Sequence, residues 1–449
     1  MTQNFDTSLN KLTPLEQELL NKNTKIEAWL RDKWLQHKPP FYGSVDLRNA
    51  GYKISPIDMN LFPGGFNNLN QNFMMGAVIA TQEAVSRICA DAKSLLIIPE
   101  NHTRNTFYLE NVYTLSQILI KAGFKIRIGT INPEINEITQ LNTIKNHKIN
   151  VEPIIRENNR LYLEDGFSPC AIILNNDLSA GIPNLLKNLD QAVTPPVFAS
   201  WTIRTKSRHF SIFDKIMGEF SQEIGIDPWL INPYFDNCSN LDFSSKFDSQ
   251  ELVDKTSDLL KKIQQKYNEY RIKDKPFIII KADSGTYGMG VMTVKSPEDI
   301  LSLNRKNRNK MATVKEGLVV HNVILQEGVY SYEKIENSVA EPVVYMIDRF
   351  VVGGFYRAHE GRANNENLNA SGMRFIPLYE NLSTVQENID ILNPKHHFTQ
   401  WDIQALPVLD KLNSDKANRF YIYSIIARLS LHAASIELER GIDQFNNQN

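Results

Sequence analysis

The stretch that decides the fold runs from Phe277 to Val291 and reads Phe-Ile-Ile-Ile-Lys-Ala-Asp-Ser-Gly-Thr-Tyr-Gly-Met-Gly-Val. Its apolar start predicts a strand that ends at Lys281, and a loop with three glycines leads into a second strand, Val291 to Val294. Glycines let a backbone approach phosphate oxygens because no Cβ intervenes, and free loop amides can bind an anion. Lys281 can neutralise phosphate charge. The loop residues predicted to bind phosphate are Ser284, Gly285, Thr286, Tyr287, Gly288, Met289 and Gly290.

The spacing around this loop excludes two better-known nucleotide motifs. The chain contains no GxxxxGK[ST], and the loop leads to a strand rather than opening a helix, so it is neither a Walker P-loop nor a Rossmann fingerprint. Alone, it also fits a glycine-rich hairpin with a surface lysine. A strand from Val319 onwards then ends in a predicted hinge, which consists of Gln326, Glu327, Gly328 and Val329. A connection of this kind between two lobes can present backbone donors and acceptors to the edge of an adenine, with Glu327 or Glu333 near the ribose.

Composition narrows the class of protein. The chain has 449 residues, of which 42% are hydrophobic and 22% charged, and its formal net charge is −2. This globular composition predicts two or three domains, and no basic excess indicates a nucleic acid or a membrane as partner. The polar N-terminus and the lack of a run of about 18 apolar residues predict neither a signal peptide nor a membrane span. Three cysteines without a CxxC pattern favour a cytoplasmic location over a disulfide scaffold.

Apolar segments before residue 200 alternate between strand and helix. Strands are predicted at Ser94–Ile98, Phe124–Gly129 and Ala171–Leu174, and a helix at Asn105–Lys121 separates the first two. This alternation predicts a parallel α/β sheet.

Other segments are less regular. The stretch from Gly43 to Asn70 is rich in Gly, Pro and Asn and is predicted to be a loop, whereas Val151 to Glu164 is predicted to be a hairpin. Residues 8–36 have the apolar spacing of one helix. Boundaries near Pro195-Pro196 and near the hinge predict three domains, at residues 1–200, 201–325 and 326–449.

Four longer strings carry a family resemblance. They are Asp46-Leu-Arg-Asn-Ala-Gly-Tyr-Lys53, Asn60-Leu-Phe-Pro-Gly-Gly-Phe-Asn-Asn68, Pro99-Glu-Asn-His-Thr-Arg-Asn105 and Arg204-Thr-Lys-Ser-Arg-His-Phe210. With the lysine strand, flap, hinge and a late arginine, nearly the whole chain resembles the proteobacterial glutamate–cysteine ligases of ATP-grasp type. The resemblance implies an N-terminal parallel α/β domain followed by an ATP-grasp module of two α+β lobes. It also implies ATP-dependent joining of the side-chain carboxylate of L-glutamate to the amine of L-cysteine, the first step of glutathione synthesis.

The implied chemistry needs fixed cations and magnesium, because phosphorylating a carboxylate brings two anions together. Lys281 and Arg357, which follows an apolar strand, are the predicted catalytic residues, and Arg374 is a second candidate. Mg²⁺ prefers carboxylate or amide oxygens. The candidate ligands are Glu341, Asn367 and Asn369. ATP-grasp enzymes usually carry a late Glu-x-Asn pair, which this chain approaches without matching.

The substrate-binding candidates come mostly from the four strings. An arginine such as Arg48 can pair with a carboxylate through its fork, and an acid such as Asp46 can hold an α-amino group. Arg104 follows a strand end, where α/β sheets place ligands. Asparagines near a Pro-Gly-Gly turn equally often bond their own backbone. The full set is Asp46, Arg48, Asn49, Asn60, Asn67, Asn68, Arg104, Lys206 and Arg374.

Two other functions stay open at this point. One is an ATP-grasp carboxylate–amine ligase that acts on a different amino acid pair. The other is a nucleotide-sensing protein that binds ATP without turnover. In each case the expected partners are small molecules, and a homo-oligomer is left open.

Overall fold

A computed structural model describes residues 12–243, 250–284, 290–312, 319–378 and 419–446. The helices are α1 Pro14–Asn21, α2 Asn23–Gln36, α3 Met74–Ile88, α4 Thr106–Lys121, α5 Lys206–Ile224, α6 Gln250–Glu269, α7 Glu298–Leu301, α8 Arg305–Ala312 and α9 Arg419–Asn446. The strands are β1 Tyr42–Asn49, β2 Ile54–Asn60, β3 Ser94–Pro99, β4 Lys125–Thr130, β5 Thr139–Asn142, β6 Lys148–Pro153, β7 Ile155–Glu157, β8 Arg160–Tyr162, β9 Ala171–Asn175, β10 Ala192–Thr194, β11 Phe235–Cys238, β12 Ile278–Ala282, β13 Val291–Val294, β14 Val323–Glu327, β15 Lys334–Ile335, β16 Ser338–Ile347, β17 Phe350–His359 and β18 Arg374–Pro377.

An N-terminal sheet has the strand order β10-β9-β3-β4-β6-β5, and every pairing except that of β5 with β6 is parallel. The central strands β3 and β9 are buried along nearly their whole lengths, as parallel strands covered on both faces should be. They share a core with α3 and α4. α4 begins where Asn105 accepts a hydrogen bond from the Tyr108 amide. The predicted parallel α/β sheet is confirmed.

A second sheet is antiparallel, with the order β18-β17-β16-β1-β2 and with β15 paired to β16. Two of its strands, β1 and β2, lie within Gly43–Asn70, so the prediction of a loop there was wrong. Polar and apolar residues alternate along both strands, with charged residues, Asp46 and Asp58 among them, on one face, but the many Gly, Pro and Asn residues of the segment outweighed that pattern. That face borders a cleft rather than a hydrophobic core.

A third, smaller sheet has the antiparallel order β11-β14-β12-β13. β12 and β13 are the two strands predicted around the glycine-rich loop, and that prediction is confirmed. The sheet packs against α6 through a core that includes Leu252, Tyr267 and Ile280. Residues 285–289 of the loop lie outside the described residues.

Three local predictions differ from the structure: the hairpin, the first helix and the strand before the hinge. The hairpin is shorter than expected, because residues up to Pro153 continue the parallel sheet as β6 and only β7 and β8 pair around the turn. The first helix is interrupted at Lys22, which caps α1 outside the helical conformation. The strand before the hinge begins at Val323 rather than Val319.

The cysteines also depart from expectation. Cys89, just after α3, and Cys170, just before β9, form a disulfide, and Cys238 is free and buried. The expectation against disulfides was therefore wrong for this pair. Sequence could not reveal it, because 81 positions separate the two cysteines and only the packing of α3 beside the parallel sheet brings them together.

The C-terminal helix α9 packs on α2, α5, β1 and β2. The antiparallel sheet, which joins strands from the first and the last third of the chain, is therefore partly covered by α9. The domain boundaries near residues 200 and 326 stay a prediction. None of the described helices is long and apolar enough to cross a bilayer.

Candidate functional site

One cleft gathers most of the predicted functional side chains. It lies between the charged face of the antiparallel sheet and the strands β12 and β14 of the smaller sheet, and it encloses about 100 Å³. It is lined by Asp46, Arg48, Ile57, Asp58, Lys206, Ile279, Lys281, Ala282, Val291, Gln326, Glu327, Val329, Glu341, Arg357, Asn367 and Asn369.

Lys281 lies at the floor of this cleft, near the end of β12. Its Nζ donates to the Ile57 carbonyl and to Gln326 Oε1, each at 2.6 Å. Burial lowers the pKa of Lys281 to about 8, although the nearby Asp58 carboxylate acts in the opposite direction. At the base of the loop, the Ala282 amide donates to the Gly290 carbonyl at 3.0 Å. The lysine and the base of the flap are therefore held together, as the sequence predicts.

The lowered pKa of Lys281 predicts a pH profile. A lysine that must be protonated to hold phosphate loses its charge as the pH rises through about 8 rather than through 10.5. The value of kcat/KM for ATP, which reports the free enzyme, should therefore fall about 10-fold per pH unit above that pKa. Steady-state ADP release across the alkaline range measures it. Lys281→Arg is the control, because a guanidinium stays protonated there and the alkaline decline should disappear. An unchanged decline in that variant would contradict the assignment.

The hinge follows β14. Gln326 is buried, and its Nε2 has no hydrogen-bond partner among the described residues, so it is a donor available to a ligand. The Gly328 amide donates to the Phe277 carbonyl at 2.8 Å, and a Cβ at Gly328 would meet the Phe277 ring at 2.1 Å. Only glycine fits this close approach of the two strands.

The carboxylate of Glu327 is held by protein groups. It accepts hydrogen bonds from Lys53 Nζ at 2.9 Å, from Trp229 Nε1 at 3.1 Å and from the Tyr234 amide at 2.9 Å. The side chain is 2% exposed. These partners occupy both carboxylate oxygens, so Glu327 fixes the hinge, and a ribose contact through its side chain would require breaking a buried ion pair.

Charged side chains form a row across one face of the antiparallel sheet. Asp58 on β2 lies directly opposite Asp46 on β1, and Glu341 on β16 lies opposite Arg357 on β17. Arg357 Nη1 donates to Asp46 Oδ2 at 2.9 Å and to Glu341 Oε1 at 2.6 Å. Lys206, in the first turn of α5, donates to both oxygens of Asp58 at 2.7 and 2.9 Å. Each of these carboxylates therefore has a cation beside it.

The same groups perturb one another electrostatically. Partial burial raises the pKa of Asp46, Arg357 opposes this, and the carboxylates of Glu341 and Asp58 raise it further. Partial burial would also raise the pKa of Asp58, but neighbouring ammonium groups, that of Lys206 first, outweigh it and lower the pKa to about 2. Asp46 therefore sits where one more positive charge would stabilise its ionised form.

Sequence reasoning missed Asp58. The residue lies in Ile54-Ser-Pro-Ile-Asp-Met-Asn60, where apolar and polar residues roughly alternate. Assigning this segment to a strand would have placed Asp58 opposite Asp46. Its partner Lys206 also lies over the Trp201 ring, with Nζ 4.2 Å from the ring centroid.

Two predicted substrate-binding residues lie away from the cleft with protein partners of their own. Asn49 is buried and donates to Glu16 Oε1 at 3.0 Å and to the Tyr423 hydroxyl at 3.2 Å. Arg374 lies on the edge strand β18 and pairs with Glu336 at 2.9 Å. Neither residue lines the cleft.

Four more predicted residues also lie outside the cleft lining. Asn60 accepts a hydrogen bond from the Phe62 amide at 2.8 Å, which is a local turn contact. Asn67 donates to Asn68 Oδ1 at 3.3 Å, and Arg104 is exposed in the loop after β3. Their roles in substrate binding stay predictions.

Comparisons with known proteins identify the family of the chain. The family model described as glutamate-cysteine ligase matches residues 16–438. A solved structure from Methylobacillus flagellatus, provisionally named a gamma-glutamylcysteine synthetase, is 50% identical, covers 98% of this chain and 99% of its own, and superposes with a TM-score of 0.83. The comparison with curated proteins gave no significant match.

Two distant solved structures match as well. A glutathione synthetase-like effector from Globodera pallida is 8% identical, covers 81% of this chain and 80% of its own, and has a TM-score of 0.35. D-alanyl-alanine synthetase A from Vibrio cholerae is 12% identical, covers 75% and 98%, and has a TM-score of 0.32. Similarity this low carries no argument about function. The full-length match confirms the resemblance found in the sequence, and the chain belongs to the glutamate-cysteine ligase family of ATP-dependent ligases.

Proposed function

We propose that this protein joins the γ-carboxylate of L-glutamate to the amine of L-cysteine, using ATP and an acyl phosphate intermediate to make γ-glutamylcysteine. The observation that carries the proposal is the convergence of Lys281, Lys206 and Arg357 on one cleft beside the hinge. Three cations around one cleft suit a reaction in which two anions must approach each other. The family match supplies the substrate class.

The chemistry explains why the cleft is cationic. In the first step, a γ-carboxylate oxygen of glutamate attacks the γ-phosphorus of ATP, the bond to the β–γ bridging oxygen breaks, and ADP leaves. In the second step, the neutral cysteine amine attacks the acyl carbon, inorganic phosphate leaves with its bonding electrons, and the nitrogen gives up a proton to the phosphate or to water. Lys281 is placed to hold the nucleotide phosphates, and Arg357 to stabilise charge on the phosphoryl group in transfer. Lys206 is placed to hold the carboxylate that reacts.

The residues present suit a magnesium ion held with the nucleotide. Asn367 and Asn369 line the cleft with Asp46, whereas Glu341, which also lines it, already accepts hydrogen bonds from Arg48 and Arg357 at its two oxygens and would have to share them with the ion. Among the described residues, no three acidic, His or Cys side chains are already gathered as a metal cluster. Phosphate oxygens and water would complete the shell, as is usual for Mg²⁺. Bound there, the ion would neutralise phosphate charge, and the raised pKa of Asp46 fits a site that gains from an added cation.

An ADP-release assay tests the proposal. The full chain is supplied with ATP, Mg²⁺, L-glutamate and one amine from a panel of L-cysteine, glycine and L-alanine. ADP should appear with L-cysteine, at a rate at least about 10-fold above the other amines, and should vanish when EDTA removes the metal. Turnover with glycine or alanine but not cysteine would defeat the named substrate. Nucleotide binding without ADP release under every condition would indicate a sensor rather than a ligase.

Two accompanying predictions concern the cellular location and the binding partners of the protein. A cytoplasmic location was predicted from the sparse cysteines, and the Cys89–Cys170 bond weighs against that argument. Small molecules are the proposed partners, and a homo-oligomer stays open. Chromatographic mass measurement of the purified chain decides the oligomeric state.

A further inference from the structure

Arg48 was expected to bind a substrate carboxylate, but its guanidinium is already surrounded by protein acceptors. Nε donates to Glu341 Oε2 at 3.0 Å, and Nη1 donates to the Val329 carbonyl at 3.2 Å and to the Asn364 carbonyl at 3.4 Å. Nη2 donates to the Glu366 carbonyl in a short contact. The residue is 5% exposed. All three guanidinium nitrogens are therefore engaged, and a carboxylate ligand would have to displace main-chain acceptors.

The acceptors of Arg48 belong to three separate walls of the cleft. Val329 ends the hinge, and residues 364–366 lead directly into Asn367 and Asn369, which line the cleft. Glu341 is held between two arginines, with Oε2 toward Arg48 and Oε1 toward Arg357. One side chain from β1 thus connects the hinge, the asparagine turn and the central carboxylate.

We infer that Arg48 is a positioning residue that sets the nucleotide side of the cleft. This inference rests on the proposed function, because it concerns the same ATP site. Guanidinium nitrogens fixed in one plane can reach acceptors on different elements at once. A lysine keeps the positive charge, but its three donors share a single nitrogen, so it cannot span all three walls and must release at least two of the four acceptors that Arg48 reaches from three nitrogens.

The test separates ATP binding from glutamate binding. Arg48→Lys is titrated with ATP and Mg²⁺ in the absence of amino acids, and its KM for L-glutamate is then measured at saturating ATP. Loss of two hydrogen bonds to a charged donor should weaken ATP binding on the order of 10-fold or more. The KM for glutamate should change by less than about 3-fold, because no glutamate contact is removed.

Arg428→Lys is the matched control. Arg428 on α9 is equally buried and donates to both oxygens of Glu27 at 2.7 and 2.8 Å, far from the cleft lining. Replacing a buried guanidinium should lower the melting temperature in both variants, whereas only Arg48→Lys should weaken ATP binding. Arg48→Gln, which keeps hydrogen-bond donors without the charge, repeats the test if the lysine variant does not fold.

Two results would overturn the inference. A raised KM for glutamate with unchanged ATP affinity would show that Arg48 contacts the substrate directly. If the ATP affinity and the KM for glutamate are both unchanged while the melting temperature falls, Arg48 only stabilises the fold. Neither result would touch the proposed function, which fails instead if the unsubstituted chain releases no ADP with glutamate and cysteine.

Discussion

Replacing Lys281 with alanine should lower the rate of ADP formation on the order of 10³-fold while the chain stays folded. Lys281 Nζ lies 2.6 Å from Gln326 Oε1, at the junction of flap and hinge where nucleotide phosphates are expected. Because burial lowers its pKa to about 8, the charged lysine is less favoured in the folded state than in the unfolded chain. The charge of this lysine therefore does not stabilise the fold, and its removal should act mainly on transition-state stabilisation.

Single-turnover ADP release and a thermal melt, run together on the variant, check this result. Lys295→Ala is the control, because Lys295 is an exposed lysine just after β13 and does not line the cleft. It should keep the full rate. Full activity in Lys281→Ala would show that the flap has been assigned to the wrong role.

The second large effect is expected at Arg357, where Arg357→Lys should lower kcat by roughly 100- to 1,000-fold with little change in KM for ATP. Burial would lower the pKa of this arginine, but Asp46 and Glu341 together raise it above its ordinary value, so it is permanently charged. Its Nη1 is used by those two carboxylates, and its Nε has no partner among the described residues. A lysine would keep the charge but would lack a second donor equivalent to this Nε.

A lower kcat with an unchanged KM for ATP is expected because of the reaction stage at which Arg357 contacts the phosphoryl group. If Arg357 meets the phosphoryl group only as it transfers, its loss appears in kcat and not in ground-state ATP binding. Arg349→Lys is the control, because Arg349 is a buried arginine in the turn between β16 and β17 that pairs with Glu83 and lies away from the cleft lining. An equal rise in KM for ATP with unchanged kcat would assign Arg357 to nucleotide binding instead.

Features set by short-range chemistry were predictable from the chain alone. The flap strands follow from an apolar run, a lysine and a glycine-rich turn within fifteen consecutive positions, 277 to 291. The α/β alternation before residue 200 follows from apolar runs separated by a helical period and a glycine stop. Arg357 was singled out because it follows a continuous apolar run, and its catalytic role stays a prediction. Each of these signals lies within one segment.

Features that depend on distant neighbours were not predictable. β1 and β2 were missed because the Gly, Pro and Asn residues around them outweighed a short polar–apolar alternation whose polar face borders the cleft. The direction of the Glu327 carboxylate depends on Lys53 and Trp229, which approach from elsewhere in the chain. The Cys89–Cys170 bond depends on the packing of a helix beside a sheet.

The stretch from Phe277 to Val291, by itself, predicted that a lysine and a glycine-rich loop would meet phosphate. Only the tertiary structure decided which other groups share that cleft. It placed Asp58 beside Lys206, and it turned Arg48 from a candidate ligand contact into a connection among three walls. The physical reason is that periodicity and turn chemistry act over a few residues, whereas the partners of a buried charge are chosen by whichever strands and loops fold against it.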